Sequence, residues 1–463
     1  MARMVSYVSN DIKVRYPSTE LINWCKWNLV MPNPEYYQAK NLGFRTNGLD
    51  KTMALFSYRN DWLVLPFGLL RPVMSFISKG EIVCDFADER VVKYESDIEL
   101  LDYQEEAVEK LVKKKYGILN SQAASGKTIM ALSLIARLGC KALWITHTKD
   151  LLKQSYNQAA KHLDKDLLGT ITEGKVNIGE GITFATVQTL ANLDLSKLKY
   201  EWDCIVVDEC HRVSGSPKKL RQFSYVLNSL AVKHKYGLSA TLHRSDGMTK
   251  TIFAYIGPIA HIVPKDATKN RIMQVTIMPK PAPVVLDSKC FKRNGHANPA
   301  IVTSRLVDSE ERNILIANDL INSTEHFNLI LSTRIEHLKT LYSMLPDELQ
   351  EESVLVTGSA KNKAEKLMRE EAIEEMKNGT KRYLFATYQL AKEGLDIPRL
   401  DRLFLTVPQS DYSVIVQSVG RIARTFEGKE NPICYDYVDE DEYFKKKFQK
   451  RKENYLSYGY DIG

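Results

Sequence analysis

From residue 96 onwards, short runs of consecutive apolar residues alternate with longer segments whose apolar residues recur every three or four positions. Runs such as Lys141–Thr146 and Asn328–Arg334 are typical of strands buried on both faces of a parallel sheet, and the segments between runs are typical of helices. The pattern therefore predicts an α/β fold with two tandem parallel-sheet lobes, which we place at residues 96–285 and 286–463.

Residues 1–95 follow a different pattern, in which short β-type runs are interspersed with aromatic and basic side chains. We predict a small α+β accessory domain that binds DNA through phosphate contacts and base stacking. The alternative is that the aromatic residues build the hydrophobic core, and we expect this for most of them. The residues concerned are Trp24, Trp27, Tyr36, Tyr37, Phe44, Arg45, Tyr58, Arg59, Trp62 and Arg71.

The segment from Ile259 to Asn298 lacks helical periodicity and carries prolines at positions 264, 279, 281 and 283 among β-branched residues. Such a composition favours extended chain over helix. We interpret it as the crossover between the lobes, with extended pieces packing on either and a boundary near 285.

A phosphate-binding loop is indicated at Gly117–Thr128, where a short apolar run leads into Ser-Gly-Lys-Thr and a helical pattern. Backbone N–H groups of such a loop point at phosphate oxygens, while the Lys127 ammonium and the Thr128 hydroxyl suit the β/γ-phosphates and Mg²⁺. The loop has Ser121 where a glycine is usual, so an ordinary capped helix is the alternative. The candidate ligands of a nucleoside triphosphate are Ser125, Gly126, Lys127 and Thr128.

Two adjacent carboxylates follow the apolar run Trp202–Val207. A buried parallel strand would deliver Asp208 at its carboxyl end, where ligands bind in open α/β sheets, so Asp208 is a candidate Mg²⁺ ligand through water. Glu209 is the candidate to orient or deprotonate the attacking water, because hydrolysis needs one group for the metal and another for the nucleophile. The alternative is a solvated acidic turn.

Two arginines three positions apart occur in Gln417–Arg424. If this stretch is helical, Arg421 and Arg424 share one face. Guanidinium groups match phosphate oxygens, and an arginine from a second domain would stabilise charge that develops on the γ-phosphate. Taken alone, the pattern is more simply a surface helix with two ordinary cations.

Together these segments resemble the superfamily 2 helicases over residues 98–436. Asp208–His211 matches the family's DExH box, Ser239–Thr241 its motif III, Ala386–Ile397 its motif V and Gln417–Arg424 its motif VI. The resemblance implies two RecA-like lobes that bind ATP and Mg²⁺ between them, with nucleic acid as the substrate. It also implies that adenine is read by Gln104, that the nucleotide is faced by Gly394 and Asp396, and that Gln417 acts beside the catalytic Arg421 and Arg424.

A narrower resemblance is carried by Tyr236–Gly247 and Tyr255–Pro258, which are similar to the XPB/UvsW-like branch of this superfamily. Phage helicases of that branch also have a small N-terminal domain with a segment similar to Leu65–Leu69. The resemblance implies a monomeric, 3′ to 5′ DNA helicase that migrates Holliday junctions, regresses forks and unwinds displacement loops and R-loops. The alternatives are a nucleotide-switched DNA-binding scaffold, an RNA helicase, or a duplex translocase that separates no strands.

Hydroxyl and amide side chains follow several predicted strands. Such groups at strand ends suit the phosphates of a tracked strand, because a motor must hold the backbone rather than read bases. For each residue alone, a helix cap or a solvent contact is an equally good explanation. The candidate nucleic-acid ligands are Thr148, Lys149, Thr186 and Gln188 in the first lobe and Thr333 and Thr387 in the second.

Composition agrees with an enzyme of two or three cores, since the 463 residues are 44% hydrophobic and 26% charged. The formal net charge of +7 permits nucleic acid without demonstrating it. The seven cysteines form no C-x-x-C pair, so we expect reduced thiols rather than a zinc site or a disulfide framework.

The apolar runs are all shorter than the roughly 18 to 20 residues of a membrane span, and the N-terminus lacks the apolar segment of a signal peptide. We therefore expect a cytoplasmic protein with no membrane partner. Near the C-terminus, the cationic segment Tyr443–Lys452 also carries aromatic residues. It is either a basic helix that contacts DNA phosphates or a solvated helix whose aromatic side packs on the second lobe.

Overall fold

The chain divides into two units, Met1–Ala267 and Thr268–Gly463, and in each unit the apolar runs form the strands of one parallel sheet. The computed structural model describes residues 3–88, 90–242, 244, 246–268, 272–292, 295–356, 363–392, 395–409 and 411–463.

The N-terminal segment forms its own five-stranded sheet in the order β5-β6-β2-β1-β7, with β1 and β7 parallel and the other neighbours antiparallel. A second, two-stranded sheet pairs β3 with β4. The elements of the whole N-terminal segment are β1 (Val5–Val8), β2 (Asp11–Arg15), α1 (Thr19–Asn28), β3 (Val30–Pro32), α2 (Pro34–Asn41), β4 (Thr52–Ala54), β5 (Ser57–Arg59), β6 (Trp62–Pro66), α3 (Leu70–Ile77) and β7 (Glu81–Cys84).

The core of this segment is aliphatic, contrary to our expectation that its aromatic residues would fill it. Residues such as Ile12, Val14 and Leu63 are fully buried, whereas Trp27 is 85% and Phe44 67% exposed. Buried aliphatic residues of β2, β6 and α1 supply most of this core, which also includes Phe67, and Trp24 packs against it while only partly buried. Of the aromatic residues that we considered for the core, the structure leaves these exposed: Trp27, Tyr37, Phe44 and Tyr58.

The N-terminal segment shares one hydrophobic core with the first parallel sheet. The ring of Phe67 lies 5.5 Å from that of Tyr116 and 4.7 Å from the ammonium of Lys235. Gly68 packs so closely on Phe253–Gly257 that a Cβ atom there would lie 2.4 Å from the Phe253 carbonyl oxygen. Removing residues 1–95 would therefore expose core of the first sheet, and point substitutions are the better probes of this segment.

Replacing Gly68 by Ala is expected to lower the free energy of unfolding by about 2 kcal/mol or more, because the added methyl group meets three backbone atoms that no rotamer can move. Chemical denaturation measures the change. The control Ser78→Ala, on an exposed residue after α3, should cost less than about 0.5 kcal/mol. Equal midpoints for the two variants would show that the close packing at Gly68 is not required.

The first parallel sheet has the order β11-β10-β12-β9-β13-β16-β8-β17, in which only β10 and β11 are antiparallel. Its apolar strands are covered by helices on both faces. The elements, together with the short hairpin β14–β15, are α4 (Asp102–Lys114), β8 (Tyr116–Asn120), α5 (Lys127–Leu138), β9 (Ala142–Thr146), α6 (Lys149–His162), β10 (Leu168–Thr172), β11 (Lys175–Asn177), β12 (Ile182–Thr186), α7 (Val187–Ala191), β13 (Cys204–Val207), β14 (Gly215–Ser216), β15 (Lys219–Leu220), α8 (Gln222–Leu227), β16 (His234–Ser239), α9 (Thr249–Tyr255) and β17 (Ile259–Ile262).

The second parallel sheet has the order β20-β21-β19-β22-β23-β18-β24, with every neighbouring pair parallel. Its elements are β18 (Thr276–Ala282), α10 (Pro299–Val307), α11 (Glu310–Ile321), β19 (Asn328–Ser332), α12 (Ile335–Ser343), α13 (Asp347–Glu351), β20 (Ser353–Val356), α14 (Lys363–Asn378), β21 (Tyr383–Thr387), α15 (Tyr388–Lys392), β22 (Arg402–Leu405), α16 (Tyr412–Ile422), β23 (Ile433–Asp439), α17 (Glu442–Tyr458) and β24 (Asp461–Ile462).

The segment that we interpreted as a crossover contributes a strand to each sheet. β17 pairs with β8 of the first sheet, and β18 pairs with β23 and β24 of the second. The compact units divide at Ala267, so the boundary near 285 falls after a strand that already belongs to the second sheet.

The cationic C-terminal segment forms part of α17 and packs its aromatic side on the second unit. Phe444 is buried, and Tyr443 and Phe448 pack against buried apolar clusters. Arg451 belongs to the cationic run that we expected to contact DNA phosphates or solvent. It is instead buried in an ion pair with Asp436.

Candidate nucleotide site

The predicted phosphate loop lies between β8 and α5, at the carboxyl edge of the first sheet. Gly126, the N-cap residue just before α5, has φ of 83°, a left-handed conformation that glycine adopts without a steric penalty. Ala124 has φ of 64° in spite of its Cβ atom. The loop therefore turns twice through the left-handed region, a conformation found in anion-binding loops.

Polar contacts within the loop hold this shape. The Lys127 ammonium donates to the carbonyl oxygens of Ser121 and Gln122 at 3.1 and 2.9 Å. The hydroxyl groups of Ser121 and Ser125 lie 2.5 Å apart, and Ser125 is fully buried. Thr128, in the first turn of α5, is half-buried.

Gln104 lies beneath this loop. Its amide nitrogen donates to the Ser125 carbonyl at 3.1 Å and to the Tyr103 hydroxyl at 3.4 Å, and its amide oxygen accepts from the Leu101 N–H at 3.1 Å. The Tyr103 hydroxyl donates to the same Ser125 carbonyl at 2.8 Å. Both amide hydrogens thus have protein acceptors, and Gln104 would have to exchange one of them to reach adenine.

The acidic pair follows β13, next to β9 and β16. The backbone N–H of Asp208 donates to Ile145 of β9 at 2.9 Å, and the Asp208 carboxylate accepts the N–H of Glu209 at 2.9 Å. Glu209 has φ of 50°, so the chain turns sharply at this residue. The turn and the neighbouring strands fix both carboxyl groups at the sheet edge.

A chain of polar contacts links the acidic pair to motif III. Nδ1 of His211 lies 3.1 Å from Glu209 Oε2 and 3.3 Å from the Ser239 hydroxyl. That hydroxyl donates to the Thr241 carbonyl at 2.6 Å. Arg244 donates through Nη1 to the backbone carbonyl of His211. The sequence analysis did not identify Arg244 as a site residue, although it lies in the segment that carried the XPB/UvsW-like resemblance.

The two carboxyl groups differ in their electrostatic surroundings. Burial raises the pKa of Asp208, and the neighbouring charge of Glu209 adds to this. Burial also acts to raise the pKa of Glu209, but the hydrogen bond from His211 and the charges of His211, Lys127 and His147 outweigh it and hold that pKa below its ordinary value. These interactions favour the ionised form of Glu209, which is the form that can accept a proton from water.

These residues fit a magnesium–nucleotide complex. The loop presents a helix N-terminus with a lysine, and the positive charge of Lys127 acts on both Asp208 and Glu209. Thr128 and Asp208 offer the hydroxyl and carboxylate oxygens that Mg²⁺ prefers. Among the described residues, no three histidine, cysteine or acidic side chains converge as metal ligands.

The candidate nucleic-acid ligands of the first lobe lie after β9 and β12, at the same sheet edge, but each has a protein partner. The Thr148 hydroxyl caps α6 by accepting the Leu151 N–H at 3.3 Å, and Lys149 pairs with Glu173. Two further residues complete this set: the buried Thr186 shares a 2.9 Å hydrogen bond with Thr189, and the exposed Gln188 donates to the His147 carbonyl at 2.9 Å.

In the second unit, Arg421 and Arg424 do not share a helix face, because α16 ends at Ile422. Arg424 instead forms an isolated antiparallel bridge with Ile272. Its guanidinium pairs with Asp396, whereas Arg421 donates to the backbone carbonyls of Ala391 and Leu395.

Both arginines thus contact the motif V segment. Gly394 of that segment lies outside the described residues. Gln417, on α16, is 8% exposed, and its side-chain oxygen has no hydrogen-bond partner among the described residues. Thr333 is exposed after β19, and Thr387 ends β21 with its hydroxyl 3.5 Å from the Leu390 N–H.

Two protein-family models match the chain, one in each unit. The model described as the res subunit of type III restriction enzymes matches residues 97–244, and the helicase conserved C-terminal domain matches residues 311–426. Together they cover more than half of the chain.

Similar curated proteins include viral and archaeal helicases. A putative ATP-dependent RNA helicase of Acanthamoeba polyphaga mimivirus is 27% identical over 73% of this chain and 63% of its own length, so the chain spans less than two thirds of that relative. A probable helicase of Escherichia phage T5 is 26% identical over 69% of this chain and 67% of its own length. The DNA 3′-5′ translocase XPB2 of Sulfurisphaera tokodaii is 24% identical over 71% of this chain and 79% of its own length.

Among solved structures, the ATP-dependent type ISP restriction-modification enzyme LlaBIII bound to DNA has a similar fold. Its TM-score is 0.52 at 17% identity, over 73% of this chain and 28% of that chain. Within the part of the chain that the structure describes, no helix has the length and apolar character needed to cross a bilayer.

Proposed function

Because this chain belongs to superfamily 2 of the helicases and is XPB/UvsW-like, we propose that it hydrolyses ATP to move along DNA and that it remodels branched DNA. The observation that carries the proposal is the joint placement of Lys127, Asp208 and Glu209 at one sheet edge, with His211 and Ser239 linking them to the adjacent strand.

Each part of this site has a defined task in the proposal. The N–H groups of Ser125 and Gly126 and the Lys127 ammonium bind the β/γ-phosphates, in exchange for the loop carbonyls that Lys127 now contacts. Thr128 and Asp208 would hold Mg²⁺, which when bound would neutralise phosphate charge. Gln104 supports the loop and is our candidate for the adenine contact.

Glu209 positions the attacking water and accepts its proton. His211, whose Nδ1 lies 3.1 Å from Glu209 Oε2, is the main group that lowers the pKa of this carboxyl group. Because His211 also contacts Ser239, loss of the γ-phosphate beside Glu209 can be transmitted to the end of β16 and to Thr241 of motif III.

We propose that the second unit supplies the remaining positive charge. Arg421 and Arg424 are the candidates to stabilise charge on the γ-phosphate, with Gln417 and Asp396 beside them. Arg424 would replace its ion pair with Asp396 by an ion pair with a phosphate oxygen, so its guanidinium would have an anionic partner in both states. Closure around ATP and opening after hydrolysis would then drive stepping along one strand.

DNA is favoured as the substrate by the similarity to the archaeal XPB2 translocase, whose name specifies DNA and 3′ to 5′ movement. The similarity to the mimivirus protein, named as an RNA helicase, keeps RNA as the second candidate. Because a similar helicase comes from a phage, we propose a role in phage recombination, repair or replication. We also propose that the chain acts as a monomer.

The test compares a four-way junction, a fork, a tailed duplex and an RNA duplex, all labelled, in the presence of ATP and Mg²⁺. We expect ATP hydrolysis to be stimulated by DNA and strand separation to be fastest on the junction and fork. Lys127→Ala should abolish both activities, whereas Lys113→Ala, an exposed lysine of α4, should leave both unchanged.

Preference for the RNA duplex would replace DNA by RNA in the proposal. Hydrolysis without strand separation on any substrate would identify a translocase, and equal hydrolysis by wild type and Lys127→Ala would reject the enzymatic function.

A further inference from the structure

A groove of about 760 Å³ lies between the N-terminal segment and the hairpin β14–β15. One wall is formed by residues of α2, of the loop at 48–51 and of β4, and the other by residues of 214–221 together with Arg244, Asp246 and Met248. The volume is within the range of about 300 to 1,000 Å³ that is usual for ligand sites. None of the contacts described above for the nucleotide site uses this groove, apart from Arg244.

The groove is lined by more cations than carboxylates: Lys51, Lys218, Lys219, Arg221 and Arg244 against Glu35, Asp50 and Asp246, with Arg244 paired to Asp246. Lys219 Nζ lies 2.7 Å from one oxygen of Glu35, and Arg221 pairs with the other. The three side chains are 60%, 52% and 37% exposed for lysine, arginine and glutamate, respectively. Ion pairs at such exposed positions contribute little to stability, so an incoming phosphate can replace Glu35 at low cost.

Two more lysines add to the positive charge of the groove. Lys51 and Lys218 both line it, and no described acidic side chain forms an ion pair with either. A ligand with several negative charges at regular intervals, such as a nucleic-acid backbone, matches a row of cations better than a single small anion does.

Exposed aromatic rings lie on α2, which supplies Pro34, Glu35 and Gln38 to one groove wall, and in the loop that follows this helix. Tyr37 and Phe44, which are 42% and 67% exposed, flank Lys40 on α2 and in the loop that follows it. Aromatic rings next to cations bind unpaired bases by stacking, whereas the paired bases of a duplex do not present their faces. Rings on the helix that forms one wall therefore favour a single strand over a duplex.

The groove is connected to the nucleotide site through backbone contacts. Arg244, in its wall, donates to the carbonyl oxygens of His211 and Val213, immediately before the hairpin. On the other side, Arg59 of the N-terminal segment donates to the Pro217 carbonyl at the hairpin turn, at 3.2 Å. A strand held in the groove would thus contact a hairpin that continues directly from the DExH box.

We propose that this groove binds a single-stranded nucleic-acid segment, whose phosphates replace Glu35 at Lys219 and Arg221 and whose bases stack on Phe44 and Tyr37. The inference rests on the proposed nucleic-acid function and assigns to it a second binding surface, separate from the strand ends of the parallel sheets. On a branched substrate, this surface would hold one arm's unpaired strand.

Binding of a fluorescein-labelled thymidine oligonucleotide, followed by anisotropy without nucleotide at a series of KCl concentrations, tests the proposal. The double variant Lys218→Ala/Lys219→Ala should bind about tenfold more weakly, and its salt dependence should be shallower by about 1.4 in log Kd against log salt, as for two lost phosphate contacts. Glu35→Gln should bind several-fold more tightly, because no carboxylate then competes with phosphate.

Two further variants separate stacking from general loss of charge. Phe44→Ala should weaken binding several-fold with an unchanged salt dependence. The control Lys110→Ala/Lys113→Ala, which removes two exposed lysines from α4, should bind as the wild type does. Hydrolysis of ATP in the absence of DNA should be the same in all variants.

The outcomes distinguish this inference from the proposed function. A wild-type protein that binds no oligonucleotide overturns both. Wild-type binding that neither the hairpin lysines nor Glu35 affects overturns only the groove. Binding of a polyglutamate peptide that depends on the hairpin lysines, with no such dependence for the oligonucleotide, would assign the groove to an acidic protein partner and also overturn the proposal.

Discussion

Replacing Glu209 by Gln is expected to lower kcat for DNA-stimulated ATP hydrolysis by about a thousandfold, with nucleotide binding retained, because loss of a general base costs about 10² to 10⁴ in rate. Glutamine keeps the size of the side chain and can still accept a hydrogen bond from His211 Nδ1, which lies 3.1 Å from the carboxylate in the wild type. The substitution therefore removes the negative charge that accepts the water proton without removing the contact that holds the side chain.

Steady-state hydrolysis and binding of a fluorescent ATP analogue measure the two effects separately. Glu109→Gln, an exposed glutamate of α4, is the matched control and should change neither. In Lys127→Ala, by contrast, binding and hydrolysis should fall together, because Lys127 contacts the phosphates in both the ground state and the transition state. A kcat for Glu209→Gln within tenfold of the wild type would assign the proton acceptor to another group.

The parallel sheets and the position of the candidate catalytic carboxylates were predictable because their signals are local. A run of buried residues such as Cys204–Val207 can only be a central strand or a buried helix, and its short length selects the strand. A parallel strand places the residue after its end at the carboxyl edge, which puts Asp208 and Glu209 near the phosphate loop. The same reasoning placed Thr148 after β9, and its capping role was an alternative from the start.

Features that depend on partners far away in sequence could not be predicted in this way. The helix that carries Arg421 ends before Arg424 because Arg424 bridges to Ile272, about 150 residues earlier, and no residue near Ile422 signals the end. Similarly, Phe67 packs on Tyr116 and Lys235, so the N-terminal segment shares a core with the first sheet although its composition resembles that of a separate domain. Local patterns specify elements, but they do not specify which elements meet.

The second large effect is expected on the free energy of unfolding, when the buried ion pair of Arg451 is broken. Arg451 lies in the cationic segment of α17, yet it forms two 2.8 Å hydrogen bonds with Asp436 of β23, and the Tyr455 hydroxyl donates to the same carboxylate at 2.9 Å. All three side chains are buried. Asp436→Asn should therefore lower the free energy of unfolding by about 3 to 5 kcal/mol, because it leaves the Arg451 guanidinium buried without a counter-charge.

Urea denaturation followed by circular dichroism measures this loss, and the double variant Asp436→Asn/Arg451→Met provides the decisive comparison. Removing both charges should restore most of the stability, since a buried ion pair contributes little beyond what apolar packing supplies, whereas breaking the pair is costly. Glu442→Gln, which removes an exposed partner 3.9 Å from Lys445 on the same helix, should change the free energy of unfolding by less than about 0.5 kcal/mol.

The effect should extend to the candidate catalytic arginines, because Tyr455 of α17 shares a buried cluster with Val416 and Val419 of α16, the helix that carries Arg421. Loosening α17 should therefore lower DNA-stimulated hydrolysis at temperatures where Asp436→Asn is still folded, and the double variant should recover it. A single variant as stable as the wild type would mean that water reaches Arg451. A double variant no more stable than the single one would show that this ion pair contributes stability that apolar packing does not replace.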